Sequence, residues 1–150
     1  MTRPVTVLGA TPVGPLTRLE LAGVPTPLLV DLGGAPAGRE VVLTGTAQRA
    51  RAHADPAAHD RADDERPWSW RPYLVPVTAV EGLSDPVPVV SLGGVVVEAR
   101  AGARVHHAVL RVGAFDLAVT IAACFLTAPL RPGNVVTGDF HLAGHAAPTA

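Results

Sequence analysis

Several residue types are scarce or absent in this chain. It has no lysine, so all 12 of its basic residues are arginine, and its one asparagine is Asn134. This composition is typical of a GC-rich, bacterial genome, so we do not take the abundance of Ala, Gly, Pro and Arg as a sign of function. The formal net charge of −1 offers no attractive field to a polyphosphate backbone, which Lys and Arg must neutralise. The charge therefore disfavours a nucleic-acid partner.

Cysteine and long apolar segments are also scarce. The single cysteine, Cys124, excludes an intrachain disulfide. Its apolar neighbours and the lack of a nearby basic residue predict a core residue rather than a nucleophile. The longest apolar stretch, 117–126, is far shorter than the roughly 20 residues that span a bilayer. The N-terminus lacks the apolar core of a signal peptide, so we expect a cytoplasmic protein without a membrane segment.

The chain has enough apolar residues to fold as one domain. Of its 150 residues, 48% are hydrophobic and 17% charged, which excludes a disordered protein. Short runs rich in Val, Leu and Thr alternate with Gly and Pro, a pattern typical of strands joined by turns. The predicted strands are 5–8, 17–22, 28–32, 40–46, 73–80, 95–100, 104–112, 115–121 and 135–142. Pro76 predicts an edge strand or a bulge, and a buried helix is the alternative for 115–127.

These strands predict an all-β fold, a small closed or nearly closed antiparallel β-barrel that occupies residues 1–150 as a single domain. Residues 49–71 contain five Arg and five acidic residues. They are expected to form a long polar loop, or a short surface helix that starts at Asp55-Pro56. A flexible tail is expected from about residue 144. A weak similarity between 19–45 and 110–138 suggests a barrel built from two similar halves.

Aromatic residues make up only 4% of the chain, yet Trp68, Trp70 and Tyr73 lie within six residues. If they face a cavity, two indoles and a phenol would bind an apolar or planar ligand, and Arg71 would bind an anion or stack. In the alternative interpretation, these aromatic side chains attach the end of the polar excursion to the barrel. His107 is a further candidate for a polar group in such a pocket.

Histidine and aspartate supply the other candidate site. Strict alternation in 135–142 places Asp139 and His141 on one face of a strand. An Asp beside a His can orient the imidazole for general acid or base catalysis, although a polar strand face usually points to solvent. His106 and His107 must point to opposite faces, so one of them should be at least partly buried. The six histidines show no metal-binding spacing, so neither a metal nor another cofactor is predicted.

Two functions stay open from the sequence. The first is a small-molecule-binding β-barrel, extended in one version to a cofactor-independent, cyclase-like enzyme that acts on an apolar substrate. The aromatic cluster would line its pocket, and His107, Asp139 and His141 would supply polar groups. The second is a non-enzymatic interaction module resembling oligonucleotide-binding barrels, which binds a protein partner or a second copy of the chain, or, less favoured, single-stranded nucleic acid. The sequence leaves open whether the protein is an enzyme.

Overall fold

The computed structural model describes residues 3–58, 71–76 and 87–147. Each predicted strand has a counterpart, and a 3-10 helix follows β8 where a longer helix was the alternative. The elements are β1 Val5–Val13, β2 Leu16–Leu21, β3 Leu28–Val30, β4 Glu40–His53, β5 Tyr73–Pro76, β6 Val89–Arg100, β7 Val105–Val112, β8 Phe115–Ala122, the 3-10 helix Ala123–Phe125 and β9 Val135–Ala146.

Five of these strands close into a barrel. β6, β7 and β8 form an antiparallel meander. β9 pairs antiparallel with both β6 and β4. β4 completes the circle by pairing with β8, and this pairing is parallel. The prediction of a small closed all-β barrel is confirmed, and the parallel β4–β8 pair is a feature that the antiparallel description did not include.

The longest ladder of the barrel joins β4 to β9, from Val41↔Ala146 to His53↔Val135. It has a bulge between Ala47 and Arg49, which leaves Gln48 unpaired and bends the strand. β4 therefore runs to His53, so the polar excursion begins several residues later than the sequence predicted. β9 likewise extends to Ala146, beyond the predicted start of the tail.

The remaining strands lie outside the barrel. β1, β2 and β3 form a small antiparallel sheet attached to β4 through Val5 and Thr6. β5 pairs with β6 and with no other described strand, which agrees with the edge position that Pro76 predicts. Because β2 and β3 lie outside the barrel while β7, β8 and β9 form part of it, the two similar segments occupy different places in the fold.

The interior of the barrel is filled with side chains. Phe140, Leu117, Leu110 and Leu142 have no exposed surface. A β-carbon added at Gly45 would lie within 3.3–3.5 Å of Leu117, Val119 and Phe140, so there is little free space around the barrel axis at this level. Even eight strands give an interior just wide enough to be filled by side chains, so five strands leave no room for an internal ligand. A ligand must therefore bind on the outside.

Two tight hairpins shape the ends of the sheets. Val13↔Leu16 and Val112↔Phe115 each flank a two-residue turn, Gly14-Pro15 and Gly113-Ala114. The first residue of each turn is a glycine with φ of 58° or 63°, as a type II′ turn requires. None of the helical residues in the described ranges forms a segment long and apolar enough to cross a membrane.

Candidate functional site

Three grooves on the outside of the barrel are candidate sites, and two of them contain a predicted site residue, Tyr73 or His107. We name them by one residue each: the Tyr73 groove of about 310 Å³, the His107 groove of about 490 Å³ and the Arg51 groove of about 410 Å³. All three fall within the range of roughly 300–1,000 Å³ that ligand sites occupy.

The Tyr73 groove lies between the β2–β3 loop, the start of β5 and the β7–β8 turn. Its walls are almost entirely apolar, and the polar side chains among its lining residues are those of Thr26 and Tyr73. Gly23 allows the β2–β3 loop to approach the turn, because it has a φ of 79° and an added β-carbon would lie 2.9 Å from the Ala114 side chain. The apolar walls are contributed mainly by Val24, Pro25, Pro72, Leu74 and Phe115.

The predicted aromatic site is only partly described by the structure. Tyr73 is half-buried and lines an apolar groove. Arg71 is exposed just before it and is not among the lining residues. Trp68 and Trp70 lie outside the described residues. Tyr73 is thus the member of the cluster that the structure places at a groove.

His107 lies at a different groove, on the outer face of the barrel. It is exposed on β7 and is paired across the sheet with Thr120 of β8 and Arg100 of β6. Thr44 and Glu98 also line this groove, whose floor includes Val109 and Ala118. Among the described residues, His107 has no hydrogen-bond partner, so no acid orients its ring as a catalytic base would require.

His106 points to the opposite face of β7, as alternation predicts. Its side chain is 8% exposed, and its Nδ1 has no hydrogen-bond partner in the described part of the chain. The inward-facing neighbours Ala108, Leu110 and Val112 are also buried. His106 is therefore a core histidine outside all three grooves.

Asp139 and His141 share the outer face of β9, where the sequence predicted them. The carboxylate of Asp139 accepts a hydrogen bond from Nε of Arg49, its cross-strand partner on β4, at 2.5 Å. No hydrogen bond joins Asp139 to His141 within the described ranges. Arg49 therefore neutralises the carboxylate that was expected to orient the imidazole, and a catalytic role for this pair stays a prediction.

The Arg51 groove was not found from the sequence. The end of β4 contributes Arg51 and His53, and the segment after the 3-10 helix contributes Phe125 and Arg131. Its one detectable signal in the sequence is the run Arg131-Pro132-Gly133-Asn134, which has the proline and glycine of a type II turn. Residues 131–134 do not indicate that the end of β4 forms the other wall of the groove.

The prediction that Cys124 is a core residue is wrong. β8 ends at Ala122, and the 3-10 helix that follows turns the side chain of Cys124 to the surface, where it is exposed as a free thiol. An apolar run predicts burial only as long as the chain continues within the sheet. No group of three His, Cys, Asp or Glu side chains suited to a metal ion occurs among the residues that the structure describes.

The fold thus defines a small all-β protein with a solid five-stranded barrel and external grooves. Comparison with protein-family models, with curated proteins and with solved structures finds no match to this chain.

Proposed function

We propose that this protein binds an apolar small molecule in the Tyr73 groove. The observation that supports the proposal is the chemistry of the walls, which are apolar except for the Thr26 hydroxyl and the Tyr73 phenol. Ligand sites of this type combine a large apolar surface with a few polar groups that orient the ligand. Trp68 and Trp70 directly precede this wall in the sequence and stay predicted contributors.

Binding without catalysis is the version that the lining residues favour. No His, Asp, Glu or Cys side chain is among the described residues that line the Tyr73 groove. An apolar ligand would be held mainly by removal of its surface from water, which contributes about 25 cal/mol per Å². The predicted polar groups His107, Asp139 and His141 lie on other parts of the surface, so among the described residues the Tyr73 phenol is the one group at this groove able to act as an acid or base in the cyclase-like version.

The test is to fill the groove with a side chain. Thr26→Trp should place an indole in the space that the ligand occupies and lower the affinity for the neutral apolar dye Nile red by about tenfold or more, measured by fluorescence titration. Thr11→Trp is the matched control, because Thr11 is exposed on β1 and lies outside the groove. Equal affinities of the two variants for the dye would contradict the proposal.

A second candidate function is an interaction module, and the strand order favours it. β6, β7 and β8 form a meander, β9 pairs with the first strand of that meander, and β4 pairs antiparallel with β9 and parallel with β8. If β4 followed β9 in the sequence, this order would be that of the oligonucleotide-binding barrel. Such barrels bind ligands on the outer face of the second and third strands, which correspond here to β7 and β8.

The His107 groove lies on that face. Its side chains are of both charge signs, Arg100 and Glu98, together with the hydroxyls of Thr44 and Thr120. Such a mixture suits a segment of a protein partner better than a polyanion, which requires a basic groove. Thr120→Arg should abolish binding of such a protein partner, whereas Thr11→Arg should preserve it. Equal binding by the two variants would exclude the outer face of β7 and β8 as the binding surface.

A further inference from the structure

The Arg51 groove has two arginines, Arg51 and Arg131, that have no carboxylate partner among the described residues. In the same barrel, Arg49 pairs with Asp139, and Nε of Arg111 lies 3.1 Å from Asp116. The guanidinium groups of Arg51 and Arg131 make no hydrogen bond or ion pair with any described residue, and no acidic side chain is among the described residues that line the groove. The nearby Asp55 carboxylate accepts a hydrogen bond from the N–H of Ala58 at 2.7 Å. The described residues that line the groove therefore include two arginines and no acidic side chain, on a chain of formal net charge −1.

The same groove also exposes an aromatic ring. Phe125 is 37% exposed, and it and Leu8 are the large hydrophobic side chains that the described part of the molecule leaves exposed. Because burial of apolar surface is favourable, a ligand that covers the exposed part of the Phe125 ring gains affinity from it. Guanidinium groups bind phosphate through paired N–H donors, and aromatic rings stack on planar groups. Both kinds of group meet in this groove.

The two walls of the groove are connected by Asn134. Its side-chain NH₂ donates to the carbonyl of Ala54 at 3.1 Å, at the end of β4, and its Oδ1 accepts from the N–H of Arg131 at 2.8 Å. The turn is closed by the Asn134 N–H, which donates to the Arg131 carbonyl at 3.0 Å, and Gly133 has the φ of 92° that a type II turn requires. Two backbone bonds of 2.8 Å join residues 133 and 134 to Val96 of β6. The spacing of the walls is thus set before a ligand arrives.

We infer that the Arg51 groove binds a phosphate ester that includes a planar ring, with the phosphate held by Arg51 and Arg131 and the ring stacked on Phe125. A nucleotide has this chemistry, either as a free molecule or as a unit of a single strand. The inference is independent of the Tyr73 groove, which lies at the opposite end of β7 and β8.

The test is isothermal titration of the full chain with adenosine monophosphate, adenosine and octathymidylate. Arg51→Gln and Arg131→Gln should each weaken adenosine monophosphate binding by about tenfold, because each removes a charged hydrogen-bond donor to the phosphate. Arg18→Gln is the matched control, since it removes the same charge from an exposed strand position on β2 outside the groove. Phe125→Leu should weaken binding of both nucleotide ligands and leave binding of inorganic phosphate unchanged.

The outcomes separate the two sources of the ligand. A single strand is supported if octathymidylate binds more tightly than adenosine monophosphate and its binding weakens steeply with salt. A free nucleotide is supported if adenosine monophosphate binds as tightly as octathymidylate or more tightly. Adenosine binding as tightly as its monophosphate, or an Arg18→Gln variant weakened as much as Arg51→Gln, would overturn the inference. Absence of saturable binding of both nucleotide ligands below about 1 mM would overturn it as well.

Discussion

Neighbouring residues in this chain have very different surroundings. His106 is buried, and its Nδ1 has no partner among the described residues, while His107, the next residue, is exposed at a groove. Asp139 faces the same side of β9 as His141 but forms its ion pair with Arg49 on another strand. Alternation along a strand explains the first difference. The second difference depends on the pairing of β9 with β4, which the residue pattern of β9 does not specify.

Among the described glycines, Gly138 is the one at which an added methyl group should lower the free energy of unfolding the most. It is paired with Ala50, next to the β4 bulge between Ala47 and Arg49, and an added β-carbon would overlap the carbonyl oxygen of Arg49 and come within 2.8 Å of the Ala50 Cα. Backbone atoms in the longest ladder of the barrel cannot move aside easily. We expect Gly138→Ala to lower the free energy of unfolding by about 3 kcal/mol, measured by urea denaturation.

Gly9→Ala is the control for this substitution. An added β-carbon at Gly9 would first meet the Glu20 carboxylate at 3.2 Å, the end of a side chain that can rotate away. A change within about 0.5 kcal/mol is expected there. If the two alanine variants are equally stable, the backbone contact at the bulge is not tight.

At the scale of elements, the strands outside the barrel have open edges. β1 pairs with β4 only at Val5 and Thr6, and beyond Val7 it has β2 on one side and no described strand on the other. Because Val13↔Leu16 closes the hairpin, alternation directs the backbone nitrogen of Pro12 toward the open edge. A proline there removes the N–H that a second chain would need for pairing.

Replacement of Pro12 should therefore promote self-association. Pro12→Thr restores a donor at the open edge and adds a residue that favours strands. One added hydrogen bond of about 1 kcal/mol predicts a rise of roughly fivefold in the association constant, measured by sedimentation velocity over a range of concentrations. Pro36→Thr, in the exposed segment before β4, should behave like the unaltered chain. Identical association of the two variants would show that Pro12 does not protect this edge.

At the scale of the whole molecule, closure of the barrel divides the chain into a central unit and peripheral strands. β4, β6, β7, β8 and β9 each have a paired strand on both sides, whereas the four-residue β5 has β6 alone. A short strand held from one side can open without unfolding the rest. The barrel is therefore expected to unfold as one cooperative unit.

Hydrogen exchange measured by mass spectrometry tests this division. β5 and β7 both pair with β6, so they form a matched comparison on the same neighbour. The backbone amides of β5 should exchange at least about tenfold faster than those of β7, because opening of β5 leaves the barrel closed. Equal protection of the two strands would mean that β5 is part of the cooperative unit.

The solid interior also determines where function can be located. Phe140 and its leucine neighbours occupy the space that a ligand-holding barrel would leave empty. The proposed binding sites are therefore external grooves, which are formed by loops and strand ends from distant parts of the sequence. This explains why Tyr73 and His107, predicted to share one pocket, line different grooves.

The sequence by itself determined which segments form strands and which residues of β9 share a face. The shared face is a local property, because strand alternation has a period of two. Pro76 by itself predicted an edge strand or a bulge, and the structure shows the edge strand. The strand ends were less well determined, because β4 and β9 continue only as far as each supports the other.

Only the tertiary structure decided the parallel contact between β4 and β8, the pairing of Arg49 with Asp139 and the exposure of Cys124. It also formed the Arg51 groove, in which Asn134 connects a turn to the end of a strand 80 residues away. Such contacts depend on which strands become neighbours. The alternation of residues along a strand does not specify which strand lies beside it. Closure of the barrel favours this set of neighbours, because it pairs the backbone N–H and C=O groups on both edges of every barrel strand.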